Sequence, residues 1–554
     1  MTEKMSEYPA ATAHGAARAI ALTERRRAEV TPTSIVTYLS RGRLLIVGAE
    51  EVAVPIAMGL PESLHCVVLA PPGDAKPAVS EDGAIQIARF GSPQISGSFG
   101  QFDVSVEVGG EFRSLVSLLP RAGDCFDLVL DLGVPALLAH EVLPVGYYAP
   151  GADAEALDAA LAELPEMRGE FEKPKFFAYD AEICAHGGSG ISGCTRCIDA
   201  CPTLAITSLG NTVEVNPSLC QGGGSCVTAC PSGAMRYAYP SVSDLLGYVR
   251  TLIRAYRDAG GENPCIVFHD EASEAAVSGC LRNGGCENLL PVGLEEIGSV
   301  GMDTWLACLA YGAGSVVLAV DAGTPKRVQR ELSAQEGFVR PILEALGLQQ
   351  DCLLLVPADA SGLAVLESGL PVSPLSRPAT FAAPDEKRTV IRLAVDHLFA
   401  QASPQRKQAK LPAGAPFGDI RVDRDACTLC MGCVDICPVN ALRDGAGLPQ
   451  LNFAEASCVQ CGLCEKACPE DAIQKAPRYL FDSEARNKPR TLNEEQPFCC
   501  ITCGKPFATR SMLDVMQKKL EGHWMFQTDE SRRRLQMCEN CRVKDMFSGE
   551  AGNA

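Results

Sequence analysis

Eight cysteines between residues 427 and 468 constrain this chain more than any other feature. They fall in two runs of one form: Cys427, Cys430, Cys433 and Cys437-Pro438, then Cys458, Cys461, Cys464 and Cys468-Pro469. Two-residue gaps let a tight loop aim three thiolates at one point, while the fourth cysteine, beyond a longer gap, points elsewhere. Disulfides need an oxidising compartment, and zinc sites usually pair two CxxC units without these triplets and trailing Cys-Pro steps. Soft thiolates in this spacing suit iron-sulfur clusters.

Residues 418–480 resemble bacterial 2x(4Fe-4S) ferredoxins, with no ligand missing. The resemblance implies that the fourth cysteine of each run serves the other cluster, so the halves interlock. One 4Fe-4S cluster would then take Cys427, Cys430, Cys433 and Cys468, and the other Cys458, Cys461, Cys464 and Cys437.

An imperfect copy lies upstream. Cys194, Cys197 and Cys201-Pro202 keep the second, third and fourth positions, but Ile191 stands at the first. Cys184 is the nearest substitute, beyond a loop containing His186, Gly187, Gly188 and Gly190. Cys220, Cys226 and Cys230-Pro231 keep the first, third and fourth positions, with Gly223 at the second. The motifs Cys201-Pro-Thr-Leu-Ala-Ile, Cys230-Pro-Ser-Gly-Ala-Met, Cys437-Pro-Val-Asn-Ala-Leu and Cys468-Pro-Glu-Asp-Ala-Ile form an internal repeat, expected to place a short helix beside each cluster. Carried over from the same resemblance, Cys184, Cys194, Cys197 and Cys230 would hold a 4Fe-4S cluster. Cys220, Cys226 and Cys201 would hold a 3Fe-4S or incompletely ligated 4Fe-4S cluster. His186 is a candidate fourth ligand, although a lone histidine in a glycine loop is more often a hydrogen-bonding residue.

With 554 residues the chain is too long for one core, and roughly three to five units are expected. The fold class read from the pattern is multidomain α/β plus α+β: two α/β domains, two ferredoxin-like iron-sulfur modules and a C-terminal zinc ribbon. Residues 1–34 read as a tail or peripheral helix, with Arg25-Arg26-Arg27 followed by no apolar run. Residues 35–178 form the first α/β domain, with strands at 44–47, 66–69 and 126–132 and helices at 50–58, 135–140 and 154–168. Residues 179–240 are the degenerate dicluster unit. Residues 241–370 alternate strand and helix as a parallel sheet requires, with the clearest strand at 314–320 and a long helix at 326–346. This stretch resembles the flavodoxin-like delta subunit of methyl-viologen-reducing hydrogenases, through residues 306–313 and through Phe381 with Lys387-Arg388. His269-Asp270 and Glu295-Glu296 stand where that family has cysteines, so a cluster-free docking domain is the expectation. Pro-rich residues 371–417, with one helix near 385–401, read as a linker.

Cys500, Cys503, Cys538 and Cys541 form two CxxC knuckles in residues 490–554. Four thiolates suit the closed tetrahedral site of structural zinc, with a rubredoxin-like iron centre as the alternative.

The formal charge of -19 disfavours nucleic acid or an anionic membrane as partner. No run of apolar residues is long enough for direct membrane insertion, so a cytoplasmic location with reduced thiols is expected. The sequence shows no Ser-His-Asp or Cys-His set, phosphate loop or flavin fingerprint, which favours an electron-transfer component over a self-sufficient enzyme. Residues 170–174, the Cys-rich middle and the terminal knuckles resemble the bacterial 4Fe-4S proteins that accompany formate dehydrogenases. That resemblance implies a redox protein partner, with a molybdenum formate dehydrogenase as the candidate. A maturation or scaffold protein for a metalloenzyme is the alternative.

Overall fold

After strand Ile35–Ser40, which pairs antiparallel with Gly169–Pro174, strand Arg43–Val47 is an apolar run with almost no polar alternation, the signature of a strand covered on both faces. It lies inside a six-stranded sheet, ordered Tyr147–Tyr148, Leu128–Asp131, Arg43–Val47, His65–Ala70, Ile85–Arg89 and Ala78–Asp82. All neighbours are parallel except the last pair. A three-stranded antiparallel sheet, Gly91–Ser98, Gln101–Val108 and Glu111–Ser114, closes one face. The computed structural model describes residues 8, 10–24, 31–32, 34–73, 78–82, 85–119, 123–283, 287–367, 369–372, 375–402 and 406–550. Arg25-Arg26-Arg27 lies outside them.

The helix expected at 135–140 is absent, and a loop tied to a carboxylate stands in its place. Asp131, fully buried, accepts hydrogen bonds from the backbone N–H of Gly133 (2.9 Å) and Leu137 (2.7 Å) and from the Tyr147 hydroxyl (2.6 Å). These bonds tie residues 133–137 back to the end of the strand as a loop. The helix expected at 154–168 is Ala154–Glu163, capped by Asp153 and continued by the 3-10 turn Leu164–Glu166.

A second parallel sheet runs Leu289–Gly293, Cys265–His269, Ser315–Val320 and Leu353–Pro357. Helices Val242–Asp258, Glu271–Arg282, Met302–Ala310 and Lys326–Ala345 cover it. Helix Ala13–Glu24 packs on Val242–Asp258 and places Ala17, Ala21 and Leu22 in the same core. Residues 371–417 carry helix Lys387–Gln401. Val390, Ile391, Ala394, Val395 and Leu398 make a stripe of helical period along it, buried against Met302–Ala310. Tyr479 and Phe481, beyond the eight cysteines, join that core, so this segment is packed rather than loosely strung.

Between the two sheets in sequence sits a small unit with helices Arg196–Ala200 and Ser225–Ala229 in mutual contact, flanked by strands Phe177–Tyr179 and Met235–Tyr237. A matching unit pairs helices Gly432–Asp435 and Leu463–Ala467, flanked by Gly418–Val422 and Ile473–Leu480. The C-terminal region has hairpin Pro497–Cys499 and Pro506–Thr509, then helices Arg510–Leu520, Asp529–Arg534 and Glu539–Glu550. Among the described residues no helix is long and apolar enough to cross a membrane.

Candidate metal centres

Each cysteine loop is bent by residues of positive φ. Leu429 (52°) and Met431 (62°) flank Cys430, while Gln460 (55°) and Gly462 (85°) flank Cys461. These turns fold the loops around two cavities. One is lined by Cys427, Cys430, Cys433 and Cys468, the other by Cys437, Cys458, Cys461 and Cys464. The grouping is the crossed one, with the fourth cysteine of each run in the other's cavity.

The internal repeat is a turn, not the expected helix. The short helices precede each Cys-Pro step, and the third residue after the cysteine takes positive φ in all four copies: Leu204 (53°), Gly233 (81°), Asn440 (50°) and Asp471 (49°). That turn aims a backbone N–H at sulfur. Ala441 donates to Cys437 Sγ and Ala472 to Cys468 Sγ (3.3 Å each), and Met235 donates to Cys230 Sγ (3.4 Å). Gln460 Nε2 adds a side-chain donor to Cys458 Sγ at 3.3 Å. Donors aimed at thiolate sulfur are how a protein stabilises added negative charge on a cluster.

In the upstream unit, burial pushes the Cys197 thiol well up, and Cys230, Cys194 and Cys184 add to the rise. Cys226 is raised by burial and then by Cys220 and Cys201. Cys197 thus has Cys230, Cys194 and Cys184 as its thiol neighbours, while Cys226 has Cys220 and Cys201 first and Cys197 and Cys230 after them. Gly222 (84°) and Gly224 (72°) flank Gly223 as positive-φ residues flank Cys430 and Cys461, so the loop keeps its shape where the ligand is missing. His186 is turned away from that gap. Its Nδ1 meets Cys194 O at 2.8 Å and its Nε2 meets Ser208 Oγ at 2.7 Å. A Cβ at Gly223 would meet Pro202 Cγ at 3.6 Å, and the loop around it is held by the Tyr237 hydroxyl donating to Gly222 O (2.7 Å) and Lys173 Nζ donating to Cys220 O (2.6 Å).

The two units touch. A Cβ on Gly193 would fall 2.7 Å from Leu463 Cγ, and one on Gly188 2.9 Å from Ile436 Cγ1. Lys466 Nζ donates to Ser192 O at 2.6 Å. Burial pushes the Cys194 thiol up to about 11 against the pull of Arg196, and the thiols adding to the rise are Cys230 of its own unit and Cys461 of the other.

Arg388, the second residue of helix Lys387–Gln401, lies at this junction. It is 7% exposed. Its guanidinium donates to Pro231 O (3.2 Å), Pro416 O (2.9 Å), Ala456 O (3.0 Å) and Cys458 O (2.8 Å), and stacks on Phe417. Beside it, Lys387 Nζ donates to Val227 O, Thr228 O and Cys230 O. Among the described residues, no carboxylate forms an ion pair with either cation. Glu331 acts on Lys387 and Glu386 on Arg388 without direct pairing, which leaves the buried guanidinium short of a close counter-charge. A thiolate-held, anionic iron-sulfur group beside Cys230 and Cys458 supplies one, so the residues present fit such a group.

At the C-terminus the sulfurs of Cys500, Cys503, Cys538 and Cys541 all lie within 4.8 Å of one another, a fit for one metal ion. Thr509 Oγ1 donates to Thr428 O (2.9 Å), fastening this region to the Cys427–Cys430 loop. Three further cysteines belong to the packed cores. Cys265 and Cys308 are fully buried in the second α/β core, and Cys66 packs in the first.

Comparison with known proteins agrees with the cysteine geometry. The 4Fe-4S dicluster domain family matches twice, at residues 166–234 and 426–472. Ferredoxin-1 of Caulobacter vibrioides is 44% identical over 52 residues, covering 9% of this chain and 44% of that protein. The ferredoxin-type protein NapF of Escherichia coli K12 is 41% identical over 54 residues, 10% of this chain and 32% of NapF. Pyruvate synthase subunit PorD of Thermotoga maritima is 36% identical over 61 residues, 11% of this chain and 61% of PorD. Each match thus spans less than two thirds of the relative's length. The chain carries ferredoxin-type 4Fe-4S domains in two regions, within a larger mixed α/β protein.

Proposed function

We propose that this protein relays single electrons through four iron-sulfur sites, as a subunit or partner of a larger oxidoreductase. The ligand sets are Cys427, Cys430, Cys433, Cys468; Cys437, Cys458, Cys461, Cys464; Cys184, Cys194, Cys197, Cys230; and the three-cysteine set Cys201, Cys220, Cys226, which suits a 3Fe-4S or open 4Fe-4S cluster. Bound clusters supply reversible one-electron chemistry because the added charge spreads over several irons and sulfides. The chain's own part is to hold the thiolates, aim N–H donors at them and keep neighbouring sites close. The observation that carries this reading is the contact of the two matched regions across Gly193 and Leu463.

Cys500, Cys503, Cys538 and Cys541 form a structural zinc site that braces the Cys427 loop. A molybdenum formate dehydrogenase is the candidate partner, on the resemblance given above. PorD, a subunit of pyruvate synthase by name, supports a subunit role.

The test is anaerobic reconstitution, with cluster reduction followed by visible absorbance and electron paramagnetic resonance. The relay predicts that a low-potential reductant bleaches all cluster bands and that an oxidised acceptor restores them. Clusters that form but do not cycle would overturn it. Formate-dependent reduction in the presence of a molybdenum formate dehydrogenase supports that partner, and its absence removes it.

A further inference from the structure

Two adjacent cations, Lys387 and Arg388, stand at the start of helix Lys387–Gln401. Their hydrogen bonds go to carbonyls rather than acids. Lys387 gathers the last turn of helix Ser225–Ala229 and the Cys230 carbonyl. Arg388 reaches in two directions, to the carbonyl of Pro231, the residue after Cys230, and to the carbonyl of Cys458. Those two cysteines belong to different units and different ligand sets.

We propose that Arg388 is the positioning residue that joins the two dicluster units into one relay, its buried charge placed between the Cys184/Cys194/Cys197/Cys230 site and the Cys437/Cys458/Cys461/Cys464 site. This rests on the reading that both cysteine sets hold clusters. The planar guanidinium fork fixes the spacing of the two loops through four carbonyls, a geometry an ammonium cannot reproduce in full. Its charge acts on both sites. A cluster gains one negative charge on reduction, and a nearby buried cation stabilises the reduced form more than the oxidised one, which raises the potential. One electron lost by either site is the electron gained by the other, with no proton or leaving group. A low-potential donor supplies it.

The order that follows is linear. The three-cysteine site stands at one end, the Cys184 set next, the Cys437 set after the junction, and the Cys427 set at the far end under the C-terminal knuckles.

The experiment uses the full-length protein, purified anaerobically, as wild type, Arg388→Gln and Arg388→Lys. Iron and sulfide content are measured first, then potentials by redox titration, then magnetic coupling between reduced clusters by pulsed electron paramagnetic resonance. The proposal expects Arg388→Gln, at full iron content, to lower the potentials of two of the sites and to weaken their coupling, with Arg388→Lys restoring the potentials in large part. Unchanged potentials at full iron overturn the role of Arg388 while leaving the relay intact. Loss of clusters in Arg388→Gln without recovery in Arg388→Lys assigns the residue a structural role only and also overturns the proposal. A wild type without coupling between the units overturns the junction itself. A wild type lacking clusters at the upstream cysteines contradicts the underlying reading instead.

Discussion

Gln460→Leu tests whether the donors aimed at sulfur set the properties of a site. Gln460 sits in the loop between Cys458 and Cys461, 7% exposed, and its Nε2 donates to Cys458 Sγ (3.3 Å) and Asp419 O (3.0 Å). Leucine nearly preserves volume and faces the same positive-φ backbone, so the loop keeps its shape while the donor goes. A hydrogen bond to a charged acceptor contributes about 1.5–3 kcal/mol. The thiolate is charged in both redox states, so only the strengthening on reduction counts, and a third of the bond gives about 0.5–1 kcal/mol. At about 59 mV per tenfold change for one electron, that lowers the potential by about 20–40 mV. Redox titration monitored by electron paramagnetic resonance reads the shift, with the other sites as internal controls. A potential unchanged or raised at full cluster content refutes the argument that these donors favour the reduced state.

Glu296 carries a pH signature. Burial, with Asp270 and Glu295 adding to it, pushes its carboxyl up to about 7. The folded state therefore holds a proton that the unfolded chain releases at lower pH, and this stability is present below about pH 4.5 and lost as pH rises through 7. Denaturant melts should show Glu296→Gln matching wild type at low pH and exceeding it at pH 8. Gly224→Ala combines positive φ with a Cβ 2.4 Å from Ser299 Cα, so it should cost at least about 1 kcal/mol from backbone strain alone. Hydrogen exchange should then rise in residues 220–230 before elsewhere. Cys538→Ser should abolish zinc binding, read by metal analysis, and open residues 497–550 to protease while the upstream domains stay resistant.

What could be read from sequence was what leaves a pattern. The cysteine spacing declared two dicluster units, and apolar runs such as 44–47 and 314–320 became central strands because burial on both faces removes polar alternation. Strands Gly91–Ser98, Gln101–Val108 and Glu111–Ser114 are not among the expected elements, although the alternating burial of Gln101–Val108 leaves a period of two in its sequence. In place of the helix expected at 135–140 the chain forms a loop whose Gly133 and Leu137 N–H groups are tied to the buried Asp131. The repeat after each Cys-Pro was visible, but its meaning was a positive-φ turn, which Asn440, Asp471 and Gly233 suggest and Leu204 conceals. Arg388 was legible only as a basic residue at a helix start. Its partners are carbonyls up to 157 residues away, and carbonyls leave no mark in a sequence.

The most direct test of the account is iron and acid-labile sulfide per chain in anaerobically purified, full-length protein, with cluster types resolved by Mössbauer spectroscopy. Three complete four-iron sites and one three-cysteine site predict about 15–16 irons per chain, with a distinct subsite signal from the Cys201, Cys220 and Cys226 set. A chain that saturates at about 8 irons, all removed by substitution within residues 427–468, would contradict the four-site relay.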